Sequence, residues 1–166
     1  MTTTPTGRIE HVDGQHVLVQ TREFRAPIED VWAAVTEPER LARWIGTWTG
    51  DPVAGSVDFR MLFEGEDHAG ERMEIRVCEP PRRLHLTSHT GEEVWQLELD
   101  LTHADGVTTL TFAQPGVTRE QVGGVGPGWD YYLDRLVDAE TGADPSQRNF
   151  ERDYYPSTAA HYTEQF

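Results

Sequence analysis

GPGWDYYLDRLVDAETG, residues 126–142, is the stretch that decides the fold, because it predicts a long amphipathic helix. Helical spacing of i, i+3, i+4 and i+7 produces one apolar stripe, formed by Trp129, Tyr132, Leu133 and Leu136. The opposite side carries Asp130, Asp134, Arg135 and Asp138. Pro127 suits the first turn of this helix, and Gly142 suits its end. A helix with such a wide aromatic stripe needs a large apolar surface to pack against.

The chain before this helix alternates apolar and polar residues with the period of two that predicts β-strands. The predicted strands lie at residues 17–24, 57–63, 73–77, 84–88, 95–101 and 108–112. Ala104-Asp105-Gly106 predicts a tight hairpin, and residues 65–70 predict a further turn. Two short helices are predicted after the first strand, beginning at Pro27 and Pro38, and the second ends at Gly46. One apolar face on each strand favours an antiparallel sheet that is covered on one side.

Together these elements predict an α+β fold, in which a curved antiparallel sheet of about six strands wraps around a long C-terminal helix. The predicted domain spans residues 16–142, after a flexible lead-in over residues 1–15 and before a C-terminal extension over residues 143–166. The extension contains Phe150, Tyr154, Tyr155, Tyr162 and Phe166. Disordered tails are poor in aromatic residues. We therefore expect the extension to dock, either on its own sheet or on a neighbouring subunit in a homodimer.

Composition restricts the classes of partner. The 166 residues carry a formal net charge of −15, which disfavours nucleic acid because a phosphate-binding surface needs basic residues. The same charge disfavours an anionic membrane surface, and no apolar run approaches the roughly 20 residues of a membrane span. The single cysteine, Cys78, allows no internal disulfide. With an N-terminus that lacks the basic and apolar blocks of a signal peptide, these features predict a cytoplasmic protein.

Three motifs, taken in order along the chain, resemble those of a known family. Residues 24–32, FRAPIEDVW, are similar to its turn from the first strand into the first helix. Residues 36–44, TEPERLARW, resemble its second helix, and residues 128–136, GWDYYLDRL, resemble its final helix. The family is the SRPBCC (START/Bet v 1-like) superfamily, and the similar branch is named for the C-terminal domain of the activator of heat-shock protein 90 ATPase. The resemblance implies a helix-grip fold with an internal cavity, but no single activity, since the superfamily includes lipid and hormone binders, polyketide aromatase/cyclases and co-chaperone domains.

Apolar and aromatic side chains on the predicted inward faces form the candidate ligand-binding site. A strongly bent sheet around a helix leaves space between them, where small ligands bind. The candidate residues are Trp32, Trp44, Phe59, Met61, Phe63, Met73, Ile75, Leu86, Ser88, Trp95, Leu97, Trp129, Tyr132, Leu133 and Leu136. Any one of them is more typical of core packing. Together they indicate an aromatic-lined cavity for a small hydrophobic ligand, either lipid-like or aromatic.

The sequence offers little for catalysis, metal binding or a cofactor. The histidines lack the spacing of a metal site, and residues 123–128 lack the lysine of a P-loop and the βαβ context of a dinucleotide site. We interpret this glycine-rich run as a connector or as a hinge at the cavity mouth. Ser88 has no nucleophile elbow, and the inward faces show no pair of titratable groups. A non-catalytic binder is the leading interpretation; the alternatives are an aromatase/cyclase-like or hydrolase-like enzyme and a chaperone-linked interaction module.

Overall fold

A computed structural model describes residues 3–65 and 70–166, and within them one antiparallel sheet runs in the order β1-β2-β8-β7-β6-β5-β4-β3. The strands are β1 (Arg8–Val12), β2 (Gln15–Phe24), β3 (Gly46–Thr49), β4 (Ser56–Met61), β5 (Glu71–Glu79), β6 (Arg83–Thr90), β7 (Glu93–Ala104) and β8 (Val107–Pro115). The helices are α1 (Ile28–Thr36), α2 (Pro38–Leu41), α3 (Arg119–Thr141), α4 (Phe150–Asp153) and α5 (Ala159–Thr163). In this part of the chain, no helix is long and apolar enough to cross a membrane. The predicted turn over residues 65–70 includes residues 66–69, which lie outside the described residues.

The predicted α+β architecture is confirmed, but the described residues form eight strands rather than about six. One added strand, β1, lies in the predicted lead-in and pairs with β2. The turn between the two strands is formed by Asp13 and Gly14, whose φ angles are 49° and 79°. Asp-Gly is a strong hairpin signal, so the sequence did carry evidence for this strand. The other, β3, begins at Gly46, where a helix end was predicted, and it pairs with β4. Strand β3 has only four residues, too few for an alternation of apolar and polar residues to be recognised.

The core lies between the inner face of the sheet and α3. Leu18 and Leu110 from the central strands and Leu133 and Leu136 from α3 are all almost fully buried. Val31 of α1 packs in the same cluster. The apolar stripe predicted at helical spacing thus faces the sheet, as expected for a helix whose stability comes from tertiary packing.

Helix α3 begins at Arg119, not at Pro127 as predicted. Thr118 and Gln121 form a capping box, in which the Thr118 hydroxyl accepts from the Gln121 N–H at 3.3 Å and the Gln121 side chain accepts from the Thr118 N–H at 3.0 Å. Such a cap satisfies N–H groups that a helix start leaves free. The predicted stop at Gly142 is confirmed, with φ 85°. The glycine-rich run at residues 123–128 is therefore helical, so the interpretation of it as a connector or hinge is wrong.

The glycines of this run serve two sides of α3. A Cβ atom at Gly126 would lie 2.4 Å from Cδ2 of Tyr162 in α5, so that helix packs directly on the glycine. Gly124 and Gly128 face the other way, into a cavity, and a Cβ atom at either would meet no atom within 4 Å. Small residues thus let α5 approach closely on one side and leave space open on the other.

Replacing Gly126 with alanine is expected to lower the free energy of unfolding by about 1–3 kcal/mol, because the added methyl group overlaps the Tyr162 ring. The matched control Gly124→Ala adds the same methyl group where space is open. We expect it to stabilise α3 by about 0.5–1 kcal/mol through helix propensity. Urea unfolding followed by circular dichroism measures both values. Equal effects of the two substitutions would contradict the packing of α5 on Gly126.

The polar side of α3 is buried beneath the C-terminal segment and is not a solvated face. Arg22 Nη2 lies 2.9 Å from Asp130 Oδ1, and Arg22 Nε lies 3.0 Å from Asp134 Oδ1. Tyr162 donates a hydrogen bond to Asp130, and Tyr154 donates one to Asp134 at 2.7 Å. Burial by itself lowers the pKa of Arg22, but the two carboxylates raise it overall. This network holds α3 in the rotation that presents its apolar stripe to the sheet.

Candidate ligand-binding cavity

A cavity of about 790 Å³ lies between α3 and the β3–β8 part of the sheet. The segment around α2 forms one further wall, and residues 148–151 of the C-terminal segment form another. On the other side of α3 the helix contacts β2 directly. The sheet thus touches α3 at one side and curves away from it at the other. The volume is near the upper end of the range of small-molecule sites, about 300–1,000 Å³.

Most of the predicted site residues line this cavity. They are Trp44, Phe59, Met61, Phe63, Met73, Ile75, Leu86, Ser88, Trp95, Leu97, Trp129, Tyr132 and Leu133. The structure does not bring Trp32 or Leu136 to the cavity. Trp32 is half-buried beside the inward stripe of α1, and it is Val35 of that helix that lines the cavity. Leu136 lies one helical turn beyond Tyr132, where the core encloses it completely.

Several further residues that line the cavity were not predicted from the sequence. Val57 lies on the predicted inward face of β4, so alternation could have identified it. Trp48 lies on the short strand β3, and Phe150 belongs to the C-terminal segment. No local pattern in the sequence places these two aromatic rings in the cavity wall. Trp48 is placed by pairing of β3 with β4, and Phe150 by packing of the C-terminal segment on Tyr131 of α3.

Aromatic rings form a continuous wall along α3. The ring centroids of Phe112 and Trp129 are 4.4 Å apart, and those of Trp129 and Tyr132 are 6.4 Å apart. Tyr131 extends the series, at 5.0 Å from Tyr132 and 5.7 Å from Phe150. Tilted and edge-to-face pairs at such distances are favourable beyond the area they bury. These rings give the cavity an apolar wall along α3.

Polar groups in the cavity wall are few. Ser88 donates to Glu71 Oε2 at 3.3 Å, so its hydroxyl is paired with a carboxylate and not with a histidine. The Trp95 indole nitrogen is buried and makes no hydrogen bond with any described residue. The Tyr132 hydroxyl is buried beside the Glu64 carboxylate. Burial raises the pKa of Tyr132, and the Glu64 carboxylate raises it further. The phenol therefore stays protonated at neutral pH.

Charges at the cavity are mostly negative. Four glutamates line it, namely Glu64, Glu71, Glu93 and Glu151. Among the described lining residues the only basic one is Arg148, and it is held by Asp138 through Nε–Oδ2 contact at 2.6 Å. This hydrogen bond raises the pKa of Arg148. Residues 3–65 and 70–166 contain no group of three or more metal-ligating side chains.

A curved antiparallel sheet, a long C-terminal helix and a cavity between them define a helix-grip protein of the SRPBCC superfamily. The sequence model of the family described as "Activator of Hsp90 ATPase homolog 1-like protein" matches residues 25–139. The chain belongs to this family, and the resemblance carried by its three motifs is confirmed. No curated protein matches the chain at a significant level of sequence similarity.

Solved structures share the fold over nearly the whole chain. The crystal structure of CalU16 from Micromonospora echinospora is 22% identical, covers 99% of this chain and 98% of its own, and has a TM-score of 0.71. EF2215 from Enterococcus faecalis, a conserved protein of unknown function, is 22% identical over 98% of this chain and 90% of its own, with a TM-score of 0.69. DynU16, a putative protein in the dynemicin biosynthetic locus, is 28% identical over 78% of this chain but only 49% of its own, with a TM-score of 0.66.

Proposed function

We propose that this protein binds a small hydrophobic ligand in the cavity without transforming it. The observation that carries the proposal is the cavity of about 790 Å³ with its apolar, aromatic wall. Small-molecule sites in proteins are concave and mostly apolar, with volumes of about 300–1,000 Å³. An apolar space of this size is understood most simply as a site that a ligand fills.

The chemistry of the polar groups supports binding over catalysis. A group that transfers protons works best when its pKa is near the operating pH. The pKa of Tyr132 is raised far from neutrality, so this phenol suits hydrogen-bond donation better than proton transfer. The paired hydroxyl of Ser88 has no imidazole to activate it among its hydrogen-bond contacts. An aromatase/cyclase-like or hydrolase-like enzyme is the alternative that these observations disfavour.

Other features of the function stay predictions. One structural relative, DynU16, is a putative protein in a biosynthetic locus, and this agrees with a small organic ligand. Most residues that line the cavity lie between residues 35 and 133, and residues 148–151 line one further wall. The domain over residues 16–142, with an extension from residue 143, stays a prediction. We retain a cytoplasmic location, and both a homodimer and a chaperone partner stay untested expectations.

The double substitution Gly124→Phe/Gly128→Phe is expected to weaken binding of the uncharged dye Nile red at least tenfold. Both positions are open toward the cavity, so the two rings occupy space that a ligand needs. Replacing helical glycines also favours the helix, so the melting temperature should not fall. Fluorescence titration measures the affinity. Native mass spectrometry of the purified wild type is expected to show a bound small molecule that denaturation releases.

The matched control is Gly124→Ala/Gly128→Ala, which adds only methyl groups and should retain binding. If the phenylalanine variant binds the dye as tightly as the wild type, the dye does not occupy the cavity. If the wild type neither binds Nile red nor carries any small molecule, the proposed function is wrong.

A further inference from the structure

Strands β5 and β7 each begin with a glutamate on the inner face of the sheet. Glu71 comes two residues before Met73, and Glu93 comes two residues before Trp95. Side chains along a strand return to the same face every two residues, so both glutamates share the inward face. Both line the cavity together with Met73 and Trp95. Alternation in the sequence did not reveal them, because each strand begins two residues before its predicted start.

The end of strand β6 lies between these two carboxylates. Thr90 pairs with Glu93 of β7 on one side, and on the other its hydroxyl donates a hydrogen bond to Glu71 of β5. Neighbouring strands are about 4.8 Å apart, which puts the backbones of the two glutamates roughly 10 Å apart. One part of the cavity wall therefore carries two carboxylates on adjacent rows of the sheet.

The carboxylate of Glu71 is held in place but keeps one oxygen open. Ser88 donates to its Oε2 atom at 3.3 Å, and Thr90 donates to the same atom. The Oε1 atom accepts from no described residue, and it is not enclosed by the protein, since it is absent from the buried side-chain atoms that have no partner. The two hydroxyls thus fix the carboxylate, and Oε1 stays available to a donor on a ligand.

No basic residue neutralises the carboxylates of the cavity wall. In the described part of the chain, none of the four lining glutamates forms an ion pair. Arg148, the basic lining residue, is bound by Asp138 through two contacts, Nε–Oδ2 at 2.6 Å and Nη2–Oδ1 at 3.0 Å. Its charge is therefore balanced within the protein. An anionic ligand would meet uncompensated negative charge, whereas a cationic one would be attracted.

The rest of the wall suits a cation that is attached to an apolar body. Aromatic rings attract cations electrostatically, and Trp48, Trp95 and Trp129 all line the cavity. The apolar lining buries hydrocarbon, as in most small-molecule sites, where a few polar groups set the orientation. A carboxylate that accepts from a charged donor makes a stronger hydrogen bond than a neutral pair does.

We propose that the cavity binds a hydrophobic amine, whose protonated nitrogen donates to Glu71 Oε1 while Glu93 adds to the negative potential, and that it discriminates against fatty acids and other carboxylates. This inference rests on the proposed function and specifies the charge of its ligand. Glu71 is then the residue that determines specificity, because it combines an open oxygen with a fixed position in the wall.

Three probes with one ring system test the inference: anthracene carrying an aminomethyl, a hydroxymethyl or a carboxylate group at the same ring position. At pH 7 the first is a cation, the second is neutral and the third is an anion. Isothermal calorimetry and displacement of Nile red measure their dissociation constants. We expect the amine to bind about tenfold more tightly than the alcohol, because it forms a charge-assisted hydrogen bond. We expect the carboxylate to bind at least tenfold more weakly than the alcohol.

Glu71→Gln should lower the preference for the amine over the alcohol about threefold or more, while binding of the alcohol persists and shows that the cavity is intact. Glu71→Gln/Glu93→Gln should lower it further. Glu23→Gln is the matched control, because it removes one negative charge from an exposed residue outside the cavity. It changes the net charge as Glu71→Gln does and should leave the preference unchanged.

Equal affinity of the wild type for the amine and the alcohol, or tighter binding of the carboxylate, would overturn the inference while leaving the proposed function standing. Equal effects of Glu71→Gln and Glu23→Gln would also overturn it, since the preference would then come from the net charge and not from the cavity. Failure of all three probes while Nile red binds would overturn it too. Failure of Nile red as well would overturn the proposed function itself.

Discussion

Arg22→Met is expected to lower the free energy of unfolding by about 3–5 kcal/mol, the cost of leaving buried charges without their partner. The Arg22 and Asp130 side chains are only 8% and 2% exposed, and Asp134 is 17% exposed. Methionine keeps much of the apolar stem of arginine, so the loss comes from the charge and its hydrogen bonds. Urea or guanidinium unfolding measures the change.

Arg8→Met is the matched control, since Arg8 pairs with Glu10 at 2.6 Å but the two side chains are 56% and 41% exposed. Exposed ion pairs contribute little, so we expect a loss below about 1 kcal/mol. Adding Asp130→Asn and Asp134→Asn to Arg22→Met should recover part of the stability, because those changes remove the unpaired charges. Losses of equal size for Arg22→Met and Arg8→Met would refute the buried network.

Alkaline pH is expected to destabilise the protein steeply from about pH 10 upward. Burial is the largest cause that raises the pKa of Tyr132, Tyr154 and Tyr162, and neighbouring carboxylates add to it. Below pH 10 these phenols are protonated in both states, so their contribution to stability is fully present. Above pH 10 the unfolded chain releases protons that the folded chain retains, and unfolding becomes favoured. The slope is about 1.4 kcal/mol per pH unit for each tyrosine, or about 4 kcal/mol per pH unit for all three.

Denaturant unfolding at a series of pH values between 9 and 11.5 would measure this slope, with absorbance near 295 nm reporting ionised tyrosine. Tyr162→Phe should reduce the slope by about 1.4 kcal/mol per pH unit, because it removes one of the three phenols. It also lowers stability at neutral pH, since Asp130 loses a hydrogen bond. A slope identical to that of the wild type would show that the Tyr162 phenol does not couple to folding.

Local patterns in the chain predicted the elements that form the cavity wall. Alternation placed Phe59, Met73 and Leu97 on the inner face of the sheet, and helical spacing placed Trp129 and Tyr132 on the inner face of α3. Both patterns follow from backbone geometry, since side chains repeat every 2 residues along a strand and every 3.6 along a helix. The face of an element on which a side chain lies can therefore be predicted without knowing which other elements pack against it.

Some structural differences still had local signals. Asp13-Gly14 marks the hairpin that adds β1, and Thr118 with Gln121 marks the true start of α3. Both are short-range motifs with a known physical basis. In contrast, β3 and the cavity residues of the C-terminal segment have no such signal. Strand β3 has only four residues, and the C-terminal segment reaches the cavity through contacts with distant parts of the chain.

The helical segment over residues 126–142 separates what the sequence determined from what only the tertiary structure decided. Its apolar stripe determined by itself that one side faces a sheet, because burying that stripe is the dominant favourable term in folding. Its acidic side was chemically indistinguishable from a solvated surface. Only the folded chain brings Arg22, Tyr154 and Tyr162 to that side and turns it into a buried network. Likewise, only the curvature of the sheet decided that Tyr132 borders a cavity while Leu136, one turn away, is solid core.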